Sequence, residues 1–451
     1  MSRQQVRGTN SLATVAIAST IGAMIEWYDF FLYGVFASLV FNKLFFPSFD
    51  PVIGTLIAYV TFLVGFVARP VGGVIFGHYG DKIGRKKMLV TTLVIMGVAT
   101  FAIGLLPTYG NIGPWAAVLL LLLRLLQGIG IGGEWGGAIL MTFEYAPPGK
   151  RGLFGSLPQI GLAAGLALST GVVAVLTRLP PDAFLAWGWR IGFLVSAALV
   201  VVGVYIRSRI SETPTFQEVV DTGRVARVPF ARLIRTSWKQ ILLGMAARYG
   251  EGVTFNAYAV FAISYLATTL KFPRTAALLA VTVASLVMIV FIPIAGRLSD
   301  RYGRRLVYGS GAILIGIAGF IAFAAMNASH ETIIVWLAII VPLGVLYPFM
   351  YGPEPALFAE LFDPSVRYSG VSFVYQFSGI FASGLTPIIL TGMVASGYGQ
   401  PWMIAGYCAF SCLVSAVAVV FIRETARTST QDLAFETNAA GRDVVRSASL
   451  P

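Results

Sequence analysis

Long apolar runs, separated by short polar segments, dominate the chain. Twelve of these runs are close to the roughly 20 residues that a helix needs to cross a bilayer. They lack the period-two alternation of membrane strands, and a helix satisfies each backbone amide within its own segment. The sequence therefore predicts an all-α membrane protein of twelve transmembrane helices. The predicted spans are about 14–41, 53–77, 88–107, 115–141, 152–177, 188–206, 239–268, 275–296, 306–326, 332–352, 369–395 and 400–422.

A polar turn from the first half of the chain returns in the second half. GHYGDKIGRKK at 77–87 matches GRLSDRYGRRL at 296–306, and a Glu and an Arg seven residues apart follow each copy. Internal repeats of this kind indicate two similar units. We expect the repeated positions to form gating clusters at one membrane face. They are Gly77, Asp81, Gly84, Arg85, Glu144, Arg151, Gly296, Asp300, Gly303, Arg304, Glu360 and Arg367.

The repeat divides the chain into two pseudo-symmetric six-helix bundles, 14–206 and 239–422. Residues 207–238 are rich in Arg and contain Pro214 and Pro229, which predicts a cytosolic linker without a fold of its own. Residues 1–13 form a short polar N-terminus. Residues 423–451 form a polar tail that we expect to be cytosolic and disordered.

Composition and charge support a membrane location. The chain is 57% hydrophobic and 12% charged, with a mean hydropathy of +0.80, whereas soluble domains carry about 25% charged residues. The net charge of +12 does not predict a nucleic-acid partner, because most Lys and Arg fall in loops of one side. This positive-inside pattern predicts that both termini are cytosolic. The cations left for external loops are Lys43, Arg178, Arg190, Lys271 and Arg274.

The repeated G-x-x-x-D-x-x-G-R turn, in two halves of six helices, resembles the major facilitator superfamily. EWYDFFLYG at 26–34, RLLQGIGIGGEWGGA at 124–138 and WGWRIGF at 187–193 resemble its metabolite:proton symporter branch, as do YGPEPALFAELF and VRYSGVS. The resemblance covers nearly all of residues 15–425. It implies the major facilitator fold and transport driven by protons. The branch carries shikimate, α-ketoglutarate, citrate, aromatic acids, proline and betaine.

Ionisable residues inside predicted spans are costly and therefore mark candidate sites. Glu26 and Asp29 share a face of the first span with Tyr33, which we expect to line a central cavity. Two close carboxylates cannot both ionise cheaply in a low dielectric, so one is expected to hold and exchange a proton. A structural pair, hydrogen-bonded to neighbouring helices, is the alternative.

Arg124 and Gln127 lie in the fourth span. A guanidinium matches a carboxylate, so Arg124 can pair with Asp29 in the empty state and with a substrate carboxylate in the loaded state. The resemblance also implies a proton-coupling role for Arg124. Together with Arg69 in the second span, it points to an anionic substrate. A static salt bridge is the alternative for each arginine.

The second half has its own buried charges. Arg248 and Glu251 lie one turn apart, so mutual pairing and ligand contact are equally compatible with the sequence. Glu354 lies between Pro353 and Pro355, where a broken helix would expose it to a cavity. The predicted substrate-binding residues are Arg124, Arg69, Tyr33, Gln127, Arg248, Glu251, Asn256, Tyr351, Glu354, Tyr375 and Gln376.

These features together predict a secondary transporter and not an enzyme. We expect a monomer that imports a small organic anion with protons by alternating access, using the proton gradient as its energy source. We expect no metal or cofactor, because nucleotide and catalytic motifs are absent. His78 and His330 are badly placed for proton transfer, which leaves the carboxylates. Uptake of a zwitterionic osmolyte and proton-driven export are the alternatives. A membrane enzyme would need a nucleophile–base pair or metal ligands, and a passive channel would not need the repeated charges.

Overall fold

The computed structural model describes residues 12–83, 85–147, 149–208, 229–362, 367–397 and 400–424. The surroundings of residues 77–86 and of Glu144 are not among the described features. Every regular element in the described ranges is a helix. The π turns that interrupt several helices are typical of functional membrane helices, since each one re-aims the side chains that follow it.

The N-terminal half contains six helical spans. They are α1 (Leu12–Phe36), α2 (Pro51–Ile83), α3 (Arg85–Leu105), α4 (Trp115–Gly132 and Trp135–Tyr145), α5 (Arg151–Ser156 and Ile160–Leu176) and α6 (Trp189–Ser208). The C-terminal half contains six more. They are α7 (Pro229–Asn256, continued by π turns to Thr269), α8 (Arg274–Tyr302), α9 (Arg304–Ala328), α10 (Thr332–Ile339, Ile340–Leu346, Pro348–Tyr351 and Glu354–Ala359), α11 (Arg367–Gly379, Ile380–Gly384 and Thr386–Ala395) and α12 (Pro401–Phe421).

Nine helices in the described ranges are long and apolar enough to cross a membrane. The other three spans are α1, α3 with its shorter apolar stretch Val90–Leu105, and α7 with its buried charges. The predicted all-α, twelve-helix architecture is confirmed. One boundary differs from the prediction. A non-helical backbone at Ser237 divides the segment Pro229–Asn256, so the long part of α7 begins next to the predicted start of the span at 239, and residues 229–236 form a short helix in the predicted linker. Helix α10 resumes after Pro353 and extends to Ala359.

Glycines bring α2 and α4 into backbone contact. A Cβ added to Gly128 would lie 2.2 Å from the carbonyl oxygen of Gly65, and one added to Gly132 would lie 2.0 Å from that of Arg69. No larger residue fits at these positions without moving a helix. The close approach places Arg69 of α2 and Arg124 of α4 in the same buried region.

The two halves meet mainly along two helix pairs, α5 with α8 and α2 with α11, with further contacts of α4 with α11 and of α5 with α10. We call the end of the bundle that carries the α2–α3, α4–α5, α8–α9 and α10–α11 connections the basic face. The opposite face carries the α1–α2, α5–α6, α7–α8 and α9–α10 connections. The central charged residues lie between these two ends, where the inner surfaces of both halves come together.

Candidate functional site

In the N-terminal half, neutral side chains separate Arg124 from Asp29. Arg124 Nη1 donates to Gln127 Oε1 at 3.0 Å, and Gln127 Nε2 donates to Thr100 Oγ1 at 2.7 Å. The Asp29 carboxyl lies beside the hydroxyls of Thr100 and Ser196. The direct Asp29–Arg124 ion pair suggested for the empty state is not formed among the described residues. Gln127 and Thr100 occupy the space between the two charges.

Aromatic rings surround the Arg124 guanidinium. Its central carbon lies 4.2 Å from the ring centroids of both Phe30 and Tyr33, and 5.0 Å from that of Phe62. The Tyr33 hydroxyl donates to Thr61 Oγ1 at 2.7 Å, so the ring and not the hydroxyl faces the cation. Ring faces attract a cation without cancelling its charge. Arg124 Nε and Nη2 have no hydrogen-bond acceptor among the described residues.

Arg69 has a similar environment on α2. Its guanidinium carbon lies 4.1 Å from the centroid of Phe30, 4.3 Å from Phe66 and 5.4 Å from Trp27. The side chain is 1% exposed, and its Nε and Nη2 also lack acceptors among the described residues. Buried donors without acceptors are costly and rare. Two neighbouring buried cations with donors that lack acceptors are a charge arrangement suited to an anion.

In the C-terminal half, one guanidinium is shared by two carboxylates. Arg248 Nε lies 3.6 Å from Glu354 Oε1, and Arg248 Nη2 lies 3.7 Å from Glu251 Oε2. The hydroxyl of Tyr347 donates a short hydrogen bond to Glu251 Oε1. The Arg248 carbon lies 3.8 Å from the ring centroid of Tyr375. Arg248 and Glu251 do pair, and the break of α10 at Gly352–Pro353 adds Glu354 to them.

Two predicted contact residues, Tyr375 and Gln376, join the two halves, and the side chains of two others, Asn256 and Tyr351, make contacts within their own helices. Tyr375 of α11 stacks on Trp135 of α4, with ring centroids 3.4 Å apart. Gln376 Nε2 donates to the carbonyl oxygen of Gly132 at 3.3 Å. Asn256 Nδ2 bonds to the Gly252 carbonyl of its own helix at 2.9 Å. Tyr351 stacks on Tyr347 at 5.3 Å.

Glu26 and Asp29 do not face a common space. Glu26 lines a narrow cleft of about 20 Å³, bounded by α1, α4, α5 and α11 and shared with Glu134 and Gln159. Asp29 points to α3 and α6, where Thr100 and Ser196 lie. The expectation of one shared face was wrong. Residues at i and i+3 still differ by about 60° around a helix, enough to reach different neighbours.

At the basic face, Asp300 connects the two halves. Its Oδ1 accepts the Gly152 N–H at 2.8 Å and its Oδ2 accepts the Leu153 N–H at 2.9 Å, at the start of α5. Arg304 Nη1 donates to Asp300 at 2.7 Å, and its Nη2 lies 3.4 Å from Glu360. A carboxylate suits a helix N-terminus because the first amides there are unpaired.

The structure brings together part of the predicted second-half cluster. Asp300, Arg304 and Glu360 meet as expected. Arg367 Nε donates to the Phe362 carbonyl at 3.3 Å, and Arg367 and Arg151 lie 5.7 and 5.3 Å from the ring centroid of Phe143. A Cβ on Gly296 would lie 2.6 Å from the Gly152 carbonyl oxygen, so this glycine permits contact between the halves.

The first-half copy of the motif cannot be compared with the second. Gly84, the surroundings of Gly77 and the side chains of Asp81, Arg85 and Glu144 lie outside the described residues. They remain predicted gating positions.

Sequence reasoning missed several residues that the fold brings to these sites. Thr100 and Tyr347 have no motif, and their roles depend on long-range contacts. Glu424, assigned to the tail, accepts the N–H groups of Arg304 and Arg305, both at 3.0 Å. Gly303 beside it has a φ of 105°, a conformation that favours glycine. Trp135 has a sequence signal, because it lies in the same motif as Arg124, RLLQGIGIGGEWGGA at 124–138.

Comparison with known families agrees with this architecture. The Sugar (and other) transporter model matches residues 14–237, and the Major Facilitator Superfamily model matches residues 242–448. The chain is similar to the shikimate transporter of Escherichia coli K12, 38% identical over 426 residues that cover 93% of this chain and 97% of the relative. It is also similar to the proline/betaine transporter of the same organism, 34% identical over 419 residues that cover 91% and 83% of the two chains.

Solved structures show the same fold. The D-xylose–proton symporter superposes with a TM-score of 0.71 at 18% identity, covering 90% of this chain and 97% of that one. A partially occluded inward-open form of the Escherichia coli xylose transporter XylE gives a TM-score of 0.73, also at 18% identity, covering 93% and 100%. The helical architecture, the family matches to both halves and the similar proteins together show that the chain is a multi-pass membrane transporter of the major facilitator superfamily. It belongs to the branch of the shikimate, metabolite and proline/betaine transporters.

Proposed function

We propose that this protein takes up a small organic anion together with protons, across an inner membrane, by alternating access. The observation that carries the proposal is the pair Arg69 and Arg124. Both are buried, both retain donors without acceptors, and no carboxylate among the described residues lies within ion-pair distance of either. A carboxylate substrate would supply the missing acceptors, since a guanidinium binds a carboxylate through two parallel hydrogen bonds.

The similarity to a shikimate transporter supports a monocarboxylate as the substrate class. A zwitterion is the second candidate, and one observation favours it. Glu354 has two buried oxygens without hydrogen-bond partners among the described residues, and these suit a cationic group. A zwitterion would then place its carboxylate on the arginines of the N-terminal half and its cationic group near Glu354.

Asp29 is the proposed proton carrier. It is 1% exposed, and both of its oxygens lack hydrogen-bond partners among the described residues. An ionised carboxylate in this setting is costly, so protonation of Asp29 and binding of an anion at Arg124 favour the same state. Gln127 and Thr100 lie between the two groups, and this packing, which brings Thr100 beside the Asp29 carboxyl, is the proposed route for coupling. Glu26, in the adjacent cleft, is a second candidate for proton exchange along the path.

The basic face is proposed to be cytosolic, with both termini on that side, because most of the Lys and Arg lie there. The Asp300 contact with α5 would then hold the cytosolic side closed. Movement of the C-terminal half away from α5 would break it and open the site to the cytosol. Alternating access needs a closure of this kind on each side of the site.

Reconstituted vesicles test the proposal. Purified protein in proteoliposomes is given a pH jump and offered radiolabelled shikimate or glycine betaine in separate arms. We expect uptake of shikimate only when the outside is acidic, and we expect Asp29→Asn or Arg124→Ala to abolish it. Asp50→Asn and Arg178→Ala, both in loops of the opposite face, are the matched controls and should transport normally.

Each arm can contradict a different part of the proposal. Full accumulation by Asp29→Asn or Arg124→Ala would remove the coupling assignment. Uptake of glycine betaine but not shikimate would replace the anion by a zwitterion. Expulsion of loaded substrate when the outside is acidified would reverse the direction of transport.

A further inference from the structure

A buried cluster in the C-terminal half contains more acid than base. Arg248 and Glu251 of α7 and Glu354 of α10 are 2%, 2% and 0% exposed. The single guanidinium faces two carboxylates, and no other cation among the described residues lies within ion-pair distance of either acid. With all three groups ionised, the cluster would carry a net negative charge in the protein interior, which is costly.

The two acids have different surroundings. Glu251 accepts the hydroxyl of Tyr347 and lies 3.7 Å from Arg248, so its anionic form has two stabilising partners. Glu354 has one ion-pair contact, 3.6 Å from Arg248, and neither of its oxygens has a hydrogen-bond partner among the described residues. Buried polar atoms normally have partners. The environment thus favours charge on Glu251 and a neutral, protonated Glu354.

Groups from α10 itself and from four other elements face the cluster, and none of them supplies a second positive charge within ion-pair distance of the acids. Tyr308 of α9 donates its hydroxyl to the Ala247 carbonyl at 2.8 Å. Arg69 of α2 lies near Arg248 and across the interface between the halves. The titratable and charged neighbours are Tyr308, Tyr347, Tyr351, Tyr375, Cys412 and Arg69.

We propose that Glu251 and Glu354 form a second proton-binding site, in the C-terminal half beside Arg248, and that the two carboxylates hold one proton between them. It is separate from Asp29, which lies in the N-terminal half. Two interacting carboxylates titrate as a pair, and the shared proton rests on the member with fewer partners. When the site releases its proton, the carboxyl of Glu354 transfers it to a water molecule and becomes an anionic carboxylate.

The position of the cluster couples this proton to the movement of the halves. Arg248 packs on Tyr375, and Tyr375 stacks on Trp135 of the opposite half. When the halves separate at the basic face, Trp135 leaves Tyr375 and water reaches Arg248 and Glu354. Hydration stabilises the anionic form and releases the proton. This coupling step rests on the proposed proton-driven transport, whereas the binding of the proton does not.

Infrared spectroscopy of purified protein in lipid tests the site without any substrate. The C=O stretch of a protonated buried carboxyl is followed across a pH titration in wild type, Asp29→Asn, Glu354→Gln and the double variant. We expect a titrating band that survives Asp29→Asn and disappears in the double variant. Glu331→Gln is the matched control, because Glu331 precedes the same helix and is exposed. It should leave the band unchanged.

A milder substitution tests the same proton site if the Glu354→Gln variant does not fold. Tyr347→Phe keeps both acids and removes the donor to Glu251, so it should shift the pH at which the band titrates. Tyr265→Phe, whose hydroxyl bonds to Asn327 at 3.0 Å on α9, is its control. The proposal is overturned if neither Glu354→Gln nor Tyr347→Phe changes the band.

A transport arm with shikimate as probe tests the coupling. Glu354→Gln should move one proton fewer per shikimate, measured from the reversal potential in proteoliposomes, which reports the proton count independently of the transport rate. An unchanged proton count would overturn the coupling step. If wild type does not carry shikimate, the proposed function fails, while the infrared titration still decides whether the proton site exists.

Discussion

At the scale of single residues, the site contains buried arginines that have few hydrogen-bond acceptors around them. Arg124 and Arg69 rest on aromatic rings, which stabilise a charge while leaving its hydrogen-bond donors available. Gln127 and Thr100 hold Arg124 at a distance from Asp29. Because no direct ion pair has to be broken, an incoming anion competes only with neutral hydrogen bonds for the guanidinium.

The hydrogen bonds from Arg124 to Gln127 and from Gln127 to Thr100, here called the relay, make Thr100 a testable positioning residue. In Thr100→Val, Gln127 Nε2 loses its acceptor, and an unsatisfied buried donor costs about 1–3 kcal/mol. We expect gradient-driven uptake to fall about tenfold, with substrate counterflow largely preserved. Both are measured in proteoliposomes. Thr91→Val is the matched control, since Thr91 lies on the same helix, is exposed, and bonds only to the Lys87 carbonyl at 2.9 Å. Equal uptake by the two variants would exclude the relay.

At the scale of elements, close packing and broken helices position these residues. Glycines of α4 allow α2 to approach within backbone contact, which sets where Arg69 projects. The break at Gly352–Pro353 turns α10 so that Glu354 reaches Arg248 of α7. A continuous helix would direct this carboxylate elsewhere, because each interruption rotates the residues that follow it.

Glycine substitutions test the packing of α2 on α4. In Gly132→Ala the new Cβ would lie 2.0 Å from the Arg69 carbonyl oxygen, so the helices must separate. Overpacking of this kind costs about 1–3 kcal/mol. We expect the midpoint of thermal unfolding to fall by about 2–6 °C, together with a loss of uptake from displacement of Arg69. Gly309→Ala is the control, because nothing lies within 4 Å of its added Cβ. Its midpoint should stay the same or rise.

At the scale of the whole molecule, contacts at the basic face hold the halves together. The Asp300 carboxylate spans from α8 to the start of α5, and α4 meets α11 through Trp135, Gln376 and their partners. Rocking of the halves must break these contacts as a group. Their strength therefore sets the balance between the closed and open states of that face.

Removing the Asp300 charge should shift this balance. In Asp300→Asn the contacts with the α5 amides and with Arg304 lose their ionic character, which we expect to raise the open population about tenfold. The readout is the maleimide labelling rate of a cysteine at Ser372, which packs against Gly136 of the other half. Asp182→Asn, on the opposite face, should not change the rate. An unchanged rate in Asp300→Asn, with only substrate affinity altered, would contradict the idea that the Asp300 contact with α5 holds the basic face closed. The same shift is expected for Asp81→Asn in the first-half motif.

The membrane location, the number of spans and the division into two similar halves could be predicted from the sequence alone, because hydropathy and internal repeats are local properties of the chain. It also singled out the buried charges, since an ionisable residue in a long apolar run is conspicuous wherever the run packs. Tertiary structure decided how those charges meet. Glu26 and Asp29 are three residues apart and face different helices, whereas Glu354 and Arg248 are far apart in sequence and face each other. The partners of Asp300 are backbone amides of α5, which have no sequence signature, and Thr100 and Tyr347 acquire their roles only when the helices come together.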